Sequence, residues 1–131
     1  MVDVLIGGIG FLGVNLAEVL VGAGRSVVVV ARRGSEARRP RITEHLRSLG
    51  ARLELLDSIT VDALEAIGGD NYYYLIGVIS GSLERQREAH VGLLERAVEA
   101  ASRLGSRLIY VSNIGAIGEV AGLKPGSVVY E

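Results

Sequence analysis

The sequence has no cysteine and no tryptophan, and its 131 residues include only two prolines. Without cysteine there is no disulfide, no thiolate metal site and no cysteine nucleophile, and a cytoplasmic setting is the default expectation. Histidine is almost as scarce. His45 and His90 fall on expected helices without partners at ligand spacing, so no metal site is expected. No sign of charge dominates: Lys and Arg number 14 against 15 Asp and Glu. A net charge of -1 sets up no global field toward nucleic acid or an anionic membrane surface, so any anion recognition is local. Aromatic residues make up only 5%. Three of them form the run Tyr72-Tyr73-Tyr74, which reads as strand rather than as a base-stacking platform because no basic stripe accompanies it. Long apolar runs are missing as well. The apolar N-terminal stretch is interrupted by Gly7, Gly8, Gly10 and Gly13 and carries no basic flank, which argues against a membrane span and a signal peptide.

What remains is a chain that is 49% hydrophobic, mostly Val, Leu, Ile and Ala. That composition suits buried parallel strands covered by helices, and the length suits one domain, residues 1–131. Val2 to Ile6 reads as a strand, Phe11 to Val21 as a helix, and the valine run Ser26 to Ala31 as a strand buried on both faces. Together they make a βαβ unit of about thirty residues. Arg32 to Arg41 reads as a polar loop leading to a short helix over Ile42 to Leu49. Strands are expected at Arg52 to Leu56, Tyr72 to Ile76 and Arg107 to Val111, with a helix over Val61 to Ile67. A long helix is expected from Ser82 to Leu104, stopped by Gly105. Asn113 to Gly126 suggests no regular element. Alternating strands and helices predict a three-layer α/β fold, a Rossmann-type doubly wound parallel sheet in the order 3-2-1-4-5, truncated before a sixth strand.

The chemistry lies at the carboxyl edge of that sheet. Gly7, Gly10 and Gly13 occupy the first, fourth and seventh positions of the turn between the first strand and first helix. Such a turn lets backbone amides, including those of Phe11 and Leu12, approach a pyrophosphate at the positive end of the helix. Its position in a βαβ unit makes a dinucleotide the expected ligand. The second strand ends in Ala31-Arg32-Arg33-Gly34, without the carboxylate that usually accepts from the adenosine ribose. Arginine offers planar, charge-assisted donors to a 2′-phosphate, so NADP is preferred, with NAD as the alternative. Asp57 is placed either to accept the adenine amino group or to cap the helix that follows. Ile76 and Gly77 close the fourth strand, and Gly77 either admits the ribose or serves the turn. Glu84, Arg85, Glu88, Glu95 and Arg96 read as a solvated helix face.

In order and spacing, Gly7 to Gly13, Asp57, Leu75-Ile76-Gly77 and Tyr110-Val111-Ser112 resemble the short-chain dehydrogenase/reductase superfamily over nearly the whole chain. The likeness is to its extended and atypical branches, which include nucleotide-sugar epimerases and dehydratases and complex I subunit-like reductases. The resemblance implies a Ser or Thr after the fifth strand that orients substrate, and a Tyr-x-x-x-Lys motif that supplies the proton donor and its activating lysine. Here the hydroxyl position falls on Asn113, or on Ser112 with a shift of one residue. Ser-Asn-Ile-Gly-Ala is also similar to the loop of atypical members that have lost normal catalysis, in which Asn113 still lines the nicotinamide side. Tyr130-Glu131 is similar to the start of the tyrosine motif, whose lysine would lie three residues beyond Glu131. Without that cation, a phenol with a pKa of about 10 is a poor proton donor and acceptor near neutrality. Related reductases imply a homodimer through the helix over residues 82–104.

The expected function is therefore the NADP-preferring, NAD(P)-binding domain of an epimerase-, dehydratase- or reductase-like oxidoreductase acting on an unidentified small molecule. The alternative is a non-catalytic dinucleotide-binding sensor or assembly subunit.

Overall fold

A computed structural model describes residues 1–77 and 81–112. The elements follow as β1 (Val2–Ile6), α1 (Phe11–Gly22), β2 (Ser26–Arg32), α2 (Ser35–Arg38), α3 (Pro40–Ser48), β3 (Arg52–Leu56), α4 (Val61–Ile67), β4 (Asn71–Tyr74), α5 (Leu83–Arg87), a π-helical turn (Glu88–Gly92), α6 (Leu93–Leu104) and β5 (Arg107–Tyr110). The sheet has the expected order β3-β2-β1-β4-β5, and every pairing is parallel. Val4 lies between Val28 and Tyr72, which sets the register of the three central strands.

Successive side chains of a strand point to opposite faces, and here both faces are covered. Val4, Ile6, Val28, Val30, Tyr72 and Tyr74 pack on one side with Leu64 of α4 and Leu93 and Ala97 of α6. Leu5, Val27 and Val29 pack on the other with Ala17 and Leu20 of α1 and Leu46 of α3. This two-sided burial is why β2 is a continuous apolar run rather than an alternating one. Each buried valine or leucine contributes about 2 kcal/mol relative to exposure. Tyr72 and Tyr74 are fully buried core residues with satisfied hydroxyls: Tyr72 donates to the Leu64 carbonyl (2.6 Å), and Tyr74 donates to that of Ala89.

Several elements differ from the sequence expectation. The segment read as a loop before residue 42 contains α2, and α3 starts at Pro40. Proline is accommodated in a first helical turn, but it disfavours helical geometry in the residue before it. Arg39 accordingly leaves the helical region (φ -134°, ψ 68°), so Pro40 both splits α2 from α3 and starts the latter. The long helix is likewise interrupted, by the π-helical turn, although it begins after Ser82, whose hydroxyl accepts from the Arg85 amide, and ends at the left-handed Gly105. β4 stops at Tyr74, leaving Leu75 and Ile76 beyond the strand.

One buried charge had no counterpart in the sequence reading. Asp3 of β1 is fully buried and accepts from Arg25 and from the Asn71 side chain. Burial alone pushes its carboxyl upward, but the hydrogen bonds from Arg25 and Asn71 and the arginine's charge outweigh it and hold the pKa below the ordinary value. Asp3 belongs to the amino edge of the sheet, away from the glycine turn.

Candidate functional site

The turn from Gly7 to Gly13 joins β1 to α1 at the carboxyl edge of the sheet. Gly7 has φ +80°, a left-handed conformation suited to glycine, and its amide donates to the Val30 carbonyl (2.8 Å), tying the turn to β2. A Cβ on Gly7 would collide with the Ile76 side chain, and one on Gly13 would overlap the backbone of Gly8. Close approach at Gly13 lets α1 pack directly against the turn, and close approach at Gly7 seats Ile76 against it. No side chain caps α1, and its first turn contains no acid. Its amides and positive dipole end therefore face the space in front of the turn.

Two cavities meet there. The smaller, about 380 Å³, is lined by Gly10, Phe11, Leu12 and Gly13 together with Gly77 and by Ser35, Arg38 and Arg39. The larger, about 620 Å³, reaches across the end of β2 past Arg32 and Arg33 to Ile59 and the α5 region. Gly7 and Ile76 line both. Among the described residues, the site residues expected at Gly7, Gly10, Phe11, Leu12, Gly13, Arg32, Arg33, Ile76 and Gly77 thus converge on one continuous groove.

Arg33 does not face that groove unpartnered. Its Nε donates to Asp57 Oδ1 (2.8 Å), and the Asp57 hydrogen bond and charge raise the guanidinium pKa further. Asp57 is therefore at the expected edge but already engaged. It does not cap α4: Thr60 does, its hydroxyl accepting from the Ala63 amide (3.1 Å). Gly77 has no left-handed φ and open space where a Cβ would stand, so turn geometry does not require glycine there. Ser112 follows β5 as an exposed residue. Asn113 and Tyr130 lie outside the described residues.

Several lining residues escaped the sequence reading. Ser35, Arg38 and Arg39 belong to the segment taken as a loop, and the signal was present in the dibasic pair directly before Pro40. Arg85 and Glu88 were read as solvated face, yet both line the larger cavity, and Glu88 also pairs with Arg96. Among the described residues no group of three His, Asp or Glu is placed to hold a metal, and no helix is long and apolar enough to cross a membrane.

An open parallel sheet whose first turn combines close-packed glycines with an uncapped helix end defines a dinucleotide-binding protein of the Rossmann type. The profile of the NAD dependent epimerase/dehydratase family matches residues 4–129, and the chain belongs to that family as its NAD(P)-binding portion. Solved structures agree on the fold. A short-chain dehydrogenase/reductase mutant from Serratia marcescens superposes with a TM-score of 0.68 at 18% identity, over 91% of this chain and 58% of that one. UDP-glucose 4-epimerase from Thermotoga maritima, solved with UDP-glucose, gives 0.70 at 21% identity over 89% and 39%. Leucoanthocyanidin reductase from Vitis vinifera, solved as a binary complex with NADPH, gives 0.59 at 20% identity over 82% and 34%. The chain thus spans well under two thirds of the length of these structures. No curated protein matches the sequence.

Proposed function

We propose that this chain binds NADP in preference to NAD and forms the cofactor-binding part, residues 1–131, of an epimerase-, dehydratase- or reductase-like oxidoreductase. The observation that carries the preference is the end of β2. Arg32 lines the groove there without an ion pair among the described residues, Arg33 stands beside it, and neither Ala31 nor Arg32 is replaced by a carboxylate. A guanidinium donates to a 2′-phosphate, which a carboxylate would repel. The pyrophosphate sits on the amides of the Gly7–Gly13 turn, and Gly77 leaves room for a ribose. When bound, the cofactor supplies hydride chemistry, and the protein supplies its position.

On this reading Ser112, Asn113 and Tyr130 are the substrate-side residues of a cytoplasmic enzyme acting on a small molecule. The chain associates as a homodimer through the helix over residues 82–104, where Val91 and Val98 are exposed apolar residues. A second reading, a non-catalytic sensor or assembly subunit, is favoured by Asn113 at the position where relatives carry a hydroxyl.

The double substitution Arg32→Ala with Arg33→Ala tests the preference. Affinity for NADPH is expected to fall roughly tenfold or more while affinity for NADH changes little. Equal loss for both cofactors contradicts the assignment.

A further inference from the structure

A groove built on the Gly7–Gly13 amides needs a counter-charge on its open side, because two phosphates share a helix end worth only about half an elementary charge. Arg39 is placed to supply it. Its guanidinium lies over the turn: a Cβ added to Gly10 would come within 3.2 Å of Arg39 Nη1. Arg38 and Arg39 both line the 380 Å³ cavity opposite Gly10 to Gly13, and neither forms an ion pair among the described residues.

The position is fixed by local chemistry. Pro40 excludes Arg39 from the helix, and the resulting kink separates α2 from α3. The buried Thr43 hydroxyl contacts the carbonyls of both Glu36 (3.0 Å) and Arg39 (2.9 Å), bracing the two helices across that kink. At the start of α2, the Glu36 carboxylate accepts from the Gly34 amide (2.7 Å), so the acid nearest to Arg39 in sequence is turned to its own backbone. A cation has thus been set on a braced corner facing an anion-binding turn.

We propose that Arg39 is a pyrophosphate-binding residue, closing the groove from the side opposite the α1 N-terminus, with Pro40 and Thr43 as its positioning residues. The proposal rests on the dinucleotide reading above and deepens it: Arg39 acts on the bridge common to NAD and NADP, whereas Arg32 and Arg33 act on the 2′-phosphate. Glycine at position 10 then serves a second purpose, leaving room for the guanidinium.

The test is calorimetric titration of the whole chain, as wild type, Arg39→Ala and Arg39→Lys, with inorganic pyrophosphate, NADH and NADPH at one fixed salt concentration. Arg39→Ala is expected to weaken all three by roughly tenfold, and Arg39→Lys to recover part of that loss by restoring charge without the planar fork. Arg39 is exposed, so the variants should keep the wild-type melting midpoint. If the wild type binds both dinucleotides and Arg39→Ala binds pyrophosphate and NADH unchanged, the proposal is overturned while the cofactor reading stands; a loss confined to NADPH overturns it too. If the wild type binds neither dinucleotide, the cofactor reading fails, and an Arg39-dependent affinity for pyrophosphate alone would still support the anion site.

Discussion

Arg33 donates to Asp57 across the ends of β2 and β3, so one of the two arginines at the ribose end of the groove is already partnered before any nucleotide arrives. Both side chains are more than half exposed (63% and 84%), so the pair contributes little to stability, and its consequence is for selectivity. A 2′-phosphate must share or displace Asp57 to reach Arg33. Asp57→Asn removes that competition and its repulsion, and the ratio of NADPH to NADH affinity should rise about twofold to fivefold, as expected for an exposed pair worth up to about 1 kcal/mol. An unchanged ratio in parallel titrations would show that Arg33 does not read the phosphate.

Gly13→Ala puts a methyl group onto the backbone of Gly8, which cannot move aside as a flexible side chain would. Overpacking of this kind costs about 1–3 kcal/mol, and here it also displaces α1 from the turn. Denaturant unfolding should show the lower midpoint, and both dinucleotides should lose affinity together. Gly22→Ala, where a Cβ meets nothing within 4 Å, is the matched control and should keep both properties.

Asp3 makes the fold acid-sensitive in a defined direction. Its folded pKa is depressed, so its contribution is fully present above the ordinary carboxylate range near pH 4 and is lost as pH falls through the lower folded value. Asp3→Asn should flatten the pH dependence of unfolding free energy in that window. It should also destabilise the protein at neutral pH, because Arg25 loses the carboxylate it was folded against.

Tyr74 anchors the π-helical turn by donating to the Ala89 carbonyl. Burial pushes its hydroxyl pKa up to about 12. A raised phenol pKa favours the fold while the group is protonated, so stability should be lost as pH rises from about 10 toward about 12. Tyr74→Phe should remove that alkaline loss and cost about 1 kcal/mol at neutral pH through the carbonyl left without its donor. Denaturation at neutral and alkaline pH measures both effects.

The sheet order was readable from the sequence because each strand is a short apolar run bounded by glycine and the strands alternate with longer segments that read as helices. The glycine turn was readable for the same reason, since its spacing has one geometric purpose. Contacts between distant residues were not. Nothing local marks Asp57 as the partner of Arg33, or Asp3 as the partner of Arg25. The π-helical turn has no residue signature either: helical periodicity runs through residues 83–104, and the interruption depends on tertiary packing, including the bond from Tyr74 on a separate strand. Arg39 was missed because Arg32 to Arg41 reads as a polar loop, whereas Pro40 within it is the first residue of a helix and fixes what precedes it.

The measurement that bears most directly on the whole account is parallel calorimetric titration of the purified chain with NADPH and NADH at one moderate salt concentration. The account predicts saturable binding of both, with NADPH the tighter ligand. Binding of neither, or tighter binding of NADH, would contradict it.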